Sequence, residues 1–140
     1  MVSVELALQL KQAGLVWQPS EGDTFTVPES DLKEQHFLLS SMAAHVQMMK
    51  GYPYVMFHGS TEWAMDQILT QDVVWLPSET QVREELEQRL DAFGQPNIRL
   101  QRLPDYYHCS IVFHGTDLLF VAPSASDAYA QALLYVLKES

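Results

Sequence analysis

The segment that most constrains this chain is its last one. Ser124-Ala125-Ser126-Asp127 carries capping chemistry, and Ala128, Tyr129, Ala132, Leu133, Val136 and Leu137 then recur at helical spacing. Ala130 and Leu134 widen that stripe, so the helix is apolar over too much of its circumference to lie on a surface and needs a broad element to cover it. The residues just upstream supply one. Tyr107 to Phe113 reads as a strand, Phe113-His114-Gly115-Thr116-Asp117 as a hairpin turn, and Leu118-Leu119-Phe120-Val121 as the returning strand. Ile98 to Leu103 alternates less regularly and adds a third candidate strand.

The rest of the chain mixes the same two periods. Leu6, Leu10 and Ala13 share a face and Gly14 follows, which predicts a helix over residues 3–13. Phe25 and Val27 alternate with Thr24 and Thr26 ahead of Pro28, a pattern that predicts a short strand near a sheet edge. His36 to Leu39, Ala44 to Met49 and Tyr54 to Phe57 read as further strands, with Gly51-Tyr52-Pro53 connecting the last two, so an antiparallel meander is expected. At Gly59 the chain turns. Ser60 is a good N-cap, Glu62 favours the helix dipole, and Ala64, Met65, Ile68 and Leu69 would form the apolar face of a helix. Val73 to Pro77 is either a small strand or a packed connector. Ser78 and Gln81 have capping-box spacing, and Val82, Leu86, Leu90 and Phe93 follow as a stripe that Gly94 stops. The expected fold is α+β, a single domain over residues 1–140, with helices packed on a mainly antiparallel sheet of about five to six strands.

Charge narrows the partners. Eighteen acidic residues against eight basic ones leave a formal charge of −10, whose field repels phosphate backbones and anionic headgroups, so nucleic acid and membrane surfaces are not expected partners. The same field favours a basic protein or a cationic ligand. The lone cysteine, Cys109, has no internal disulfide partner, which fits a reducing compartment; with no signal-like amino-terminal segment and no apolar run of about 20 residues, a cytoplasmic location is expected.

Candidate chemistry centres on a repeated triplet. Phe57-His58-Gly59 and Phe113-His114-Gly115 each end an apolar run, and if the two ends were neighbours His58 and His114 would converge with Glu62 or Asp66 on a metal or proton-transfer site. The competing explanation is that each histidine is a half-exposed turn residue. Trp17, Trp63 and Trp75 are the exposed-aromatic candidates; Trp63 stands away from the helical stripe that follows Gly59, which would let it cover a pocket or an interface, with core burial as the competing and favoured reading. His108 and Cys109, adjacent in sequence, point to opposite faces of a strand, so Cys109 reads as a small buried hydrophobe rather than a nucleophile. Glu84, Glu85, Glu87, Gln88 and Asp91 form the solvated face of their helix or a docking face for a basic partner. No glycine-rich phosphate loop, Cys-x-x-Cys pair, His-Glu-x-x-His helix or Gly-x-Ser-x-Gly elbow occurs, and no cofactor is expected.

Gly22-Asp23-Thr24-Phe25 with Val27-Pro28, Phe37-Leu38-Leu39-Ser40, Thr61-Glu62-Trp63-Ala64-Met65-Asp66, Trp75-Leu76-Pro77 and Asp127-Ala128-Tyr129-Ala130-Gln131-Ala132-Leu133-Leu134 occur in an order that resembles a group of short bacterial proteins of undetermined activity, some labelled "pilus assembly protein". That resemblance implies no functional residues. The expectation is a non-enzymatic cytoplasmic module that binds a protein partner or small ligand, of accessory or immunity type, with His58, Glu62, Trp63, Asp66 and His114 as its candidate contact residues. The alternative is a small metal-assisted or acid/base enzyme using His58, His114, Glu62 and Asp66.

Overall fold

A computed structural model describes residues 1–28, 36–40, 44–57, 67–94 and 97–140. The chain contacts group into two compact units, Met1–Val16 with Pro77–Ser140, and Trp17–Leu76. Among the described residues the architecture is α+β, with three α-helices and three antiparallel sheets of three strands each. The expected single sheet of five to six strands is therefore replaced by smaller ones. Several strands span only three residues, too short to build a broad continuous sheet, and the strands are divided between the two units.

The first unit contains every described α-helix. These are α1 (Val4–Gln12), α2 (Glu79–Ala92) and α3 (Ala125–Glu139), and its sheet is formed by β7 (Ile98–Arg102), β8 (Tyr107–Phe113) and β9 (Thr116–Ala122) in that spatial order. The carboxyl-terminal stripe behaves as its composition demands. Helix α3 packs against α1, α2, β8 and β9, and Ala128, Ala132, Leu133 and Val136 are wholly enclosed. Helix α2 opens on the predicted capping box, Gln81 N–H donating to Ser78 Oγ at 3.1 Å and Ser78 N–H to Gln81 Oε1 at 3.0 Å. Val82, Leu86 and Leu90 are buried, while Glu84, Glu87 and Asp91 face water and Arg83 pairs with Glu87 at 3.2 Å. Asp127 fixes two helix starts: its N–H donates to Ser124 Oγ, and its carboxylate accepts the Ser3 N–H at 2.8 Å, where Ser3 makes no side-chain cap of its own. The β8–β9 hairpin turns at His114 and Gly115, with φ of 51° and 77°, the pair of left-handed residues that matches strand twist.

Among its described residues the second unit holds β1 (Thr24–Thr26), β2 (His36–Leu38), β3 (Ala44–Met49), β4 (Tyr52–Phe57), β5 (Gln67–Leu69) and β6 (Val74–Leu76), with a 3-10 turn at Thr70–Asp72. The orders are β2-β1-β6 and β3-β4-β5. Strand β1, expected at an edge because of Pro28, lies in the middle: the proline follows the strand and removes no ladder donor from it. The expected meander of the middle strands is split between the sheets, because β2 pairs with β1 while β3 pairs with β4.

Two further expectations change here. Ile68 and Leu69, expected on a helix, belong to β5, where Ile68 stands opposite the enclosed Val55; a short apolar run has no period of its own, and pairing decides it. The remaining residues of that expected helix, 60–66, lie outside the described residues. The β3–β4 connection is tighter than Gly51-Tyr52-Pro53, for the turn is Lys50-Gly51 (φ 54° and 85°) and β4 already starts at Tyr52. Pro53 is tolerated inside β4 because, one step from the closing Met49–Tyr52 pair, its nitrogen faces away from β3, and pairing with β5 begins only at Tyr54. The core of this unit is aromatic. The Phe25 ring lies 5.6 Å from that of Trp17, 5.5 Å from Phe37 and 6.1 Å from Phe57, with Val27, Leu39, Val55 and Val73 around them.

Candidate functional site

In the sheet of the first unit, alternation separates a covered face from an open one. Cys109, Ile111 and Phe113 of β8 are buried, and their ladder neighbours Leu118 and Phe120 lie on the same side. On the other side stand Arg99 and Gln101 of β7, His108, Ser110 and Val112 of β8, and Asp117, Leu119 and Val121 of β9. Leu119 is 57% and Val121 45% exposed, high values for adjacent outward positions of one strand.

The centre of this open face is concave. A cavity of ≈ 450 Å³ includes Asn97, Arg99, Ser110, Val112, Asp117 and Leu119 in its lining, a size within the range of small-ligand sites. The register builds it: Arg99, Ser110 and Leu119 form one row across the strands, and Val112 and Asp117 form the next. Arg99 and Asp117 therefore occupy opposite corners, one cation and one anion separated by a hydroxyl and two apolar side chains. Neither has an ion-pair partner among the described residues. A face of this kind offers shape, apolar area and two charges of opposite sign.

Of the five candidate contact residues His58, Glu62, Trp63, Asp66 and His114, His114 is the one the structure describes. It is exposed in the β8–β9 turn, its ring 4.1 Å from that of Phe113 and 5.4 Å from that of Phe93, so it packs beside the end of α2 and does not line the open face. His58, Glu62, Trp63 and Asp66 lie outside the described residues. Among the described residues no group of three or more His, Cys, Asp or Glu side chains is arranged to hold a metal ion.

Cys109 is fully enclosed on the helix side of β8, and burial pushes its thiol up to about 11. That favours the neutral form, the opposite of what a nucleophilic cysteine requires. Burial also raises Tyr129 above its ordinary value, and the nearby Cys109 adds to the effect. Trp17 donates from Nε1 to the enclosed Asp23 carboxylate at 2.9 Å, a contact that pins the 17–23 loop. Trp75 stands opposite Phe25, and its indole nitrogen is enclosed without an acceptor among the described residues. A smaller cavity in the second unit, ≈ 280 Å³, is lined by residues including Ser20, Glu21, Ser40 and His45 and lacks the cation that marks the larger one.

Arg99, Ser110, Asp117 and Leu119 were not among the sequence candidates. One signal for them is present in the chain: Leu118-Leu119-Phe120-Val121 is apolar at both parities, whereas a strand covered on one side needs apolar residues at only one. Comparison with family models, with curated proteins and with solved structures finds no match to this chain.

Proposed function

We propose that this chain is a non-enzymatic binding module and that it engages its ligand or partner through the open face of the β7–β8–β9 sheet. The single observation that carries the reading is the coexistence, on one uncovered face, of a ≈ 450 Å³ cavity and a cation and anion that have no ion-pair partner among the described residues. Exposed charges without an ion-pair partner contribute little to the stability of a fold, and Leu119 would be better replaced by a polar residue if solubility alone governed the site. The reading fits an accessory or immunity-type protein acting in a reducing, cytoplasmic setting, where a buried, neutral Cys109 is inert. The enzyme alternative has less to support it, because His114 is accounted for by its turn conformation and by ring contacts with Phe93 and Phe113.

The test is a map of amide shifts on adding mixtures of small polar and apolar fragments to ¹⁵N-labelled protein. The reading expects perturbed amides to concentrate at residues 97–99, 110–112 and 117–121. Concentration of the shifts elsewhere, with these residues silent, would refute it.

A further inference from the structure

We infer that the ligand of the open face is a small zwitterion of amino-acid type, with its carboxylate on Arg99, its ammonium on Asp117 and an apolar side chain over Val112 and Leu119. This rests on the binding reading above and adds the chemistry of the ligand. Arg99 and Asp117 lie two strands apart and two residues out of line in the ladder, which places their α-carbons about 12 Å apart at ordinary strand spacing and rise. Side chains stand roughly perpendicular to a sheet, so the guanidinium and the carboxylate are held apart across the face rather than joined in an ion pair, with room between them for a molecule whose own opposite charges are a few ångströms apart.

Each simpler ligand leaves a defect. A carboxylate alone would satisfy Arg99 but bring negative charge beside Asp117, in a protein already at −10. An amine alone would satisfy Asp117 and meet the guanidinium. An uncharged apolar molecule would desolvate both charges without pairing either. A zwitterion pairs both, with charge-assisted hydrogen bonds in each case, and Ser110 between them supplies a hydroxyl that donates or accepts. A second copy of the chain is the competing occupant, since its Arg99 and Asp117 also carry complementary charges. It is disfavoured by repulsion between two molecules of charge −10, and by a concavity whose volume matches a small molecule better than the side chains of a facing sheet.

The experiment titrates four probes of similar size into ¹⁵N-labelled protein: L-leucine, 4-methylpentanoate, 3-methylbutan-1-amine and 3-methylbutan-1-ol. L-Leucine is expected to shift the amides of residues 97–99, 110–112 and 117–119, and each of the other three to bind about tenfold more weakly or worse. Arg99→Gln and Asp117→Asn, exposed substitutions whose folding is checked by thermal unfolding, are each expected to weaken L-leucine by a similar factor. Equal binding of the alcohol, or full retention of L-leucine binding by both variants, would overturn the zwitterion while leaving the face as a binding surface. Shifts at these amides that depend on protein concentration and not on any probe would assign the face to a second copy. Silence toward all four probes would overturn this inference, and the fragment map above then decides separately whether the face binds anything.

Discussion

Adjacent residues of β8 provide an internal control on which side of the sheet is covered. Ile111 is 2% exposed and stands on the helix side, with Ile98 and Leu118 as its ladder partners. Val112 is half-buried and stands on the open side, beside Asp117. Truncating Ile111 to alanine removes enclosed methyl and methylene groups and leaves a cavity under α3, at a cost of about 2–5 kcal/mol. Truncating Val112 loses strand propensity and a partly wet contact, about 1 kcal/mol or less. For a domain of this size each kilocalorie moves the melting temperature by about 3–5 °C, so Ile111→Ala should melt about 10 °C below the parent protein and Val112→Ala only a few degrees below it. The ellipticity at 222 nm reads the right unit, because every described α-helix lies with this sheet, whereas Trp17, Trp63 and Trp75 all fall in the Trp17–Leu76 segment and report the other. Equal losses from the two substitutions would mean that the outward face is packed as tightly as the inward one, and the argument for an open site would fail.

Three further outcomes follow from particular contacts. Ser78→Ala removes the reciprocal cap of α2 and should lower the unfolding free energy by about 1 kcal/mol in urea titrations, while Ser78→Asp should recover most of it. Lys50→Asn places the better left-handed residue ahead of Gly51 and should stabilise the β3–β4 turn by about 0.5 kcal/mol, read as a higher urea midpoint in tryptophan fluorescence. Cys109 ionises near 9.0 when unfolded and about 11 when folded, so between those values the unfolded chain has released a proton that the folded chain retains, and stability falls as pH rises through that window. The loss is about 3 kcal/mol at most, fades out over about one pH unit below 9, and should disappear from the difference between urea titrations at pH 8 and pH 10.5 when Cys109→Ala is used; a pH dependence unchanged in that variant would refute the assignment.

Helix signals were the most legible part of the chain. The α2 capping box, its Val82-Leu86-Leu90 stripe and the broad apolar face of α3 rest on contacts between near neighbours, and spacing alone exposes them. The β8–β9 hairpin was legible for the same reason, since His114-Gly115 sits between two strand-like runs. Pairing between distant strands was not. Nothing local in Phe25 says that it lies between Phe37 and Trp75, and nothing in Ile68 says that it faces Val55; those choices are made by burial after the chain has collapsed. The open face escaped notice because Arg99 and Asp117 are ordinary surface residues in sequence. Only the ladder register, which places them at opposite corners around Ser110, Val112 and Leu119, makes them a pair. His58, Glu62, Trp63 and Asp66 remain where sequence reasoning placed them, as candidates outside the described residues.

Whether the outward face of the β7–β8–β9 sheet is open, and is covered by a bound ligand, is tested most directly by methyl relaxation in the presence of a neutral gadolinium chelate. The Leu119 and Val121 methyls should broaden strongly, Val112 should broaden to a lesser degree, and Ile111, Leu133 and Val136 should be untouched. Saturating L-leucine should then protect Leu119 and Val112 and leave Val121 more accessible than either. Protection of Leu119 and Val121 in the free protein, to the same degree as Ile111, would contradict the account.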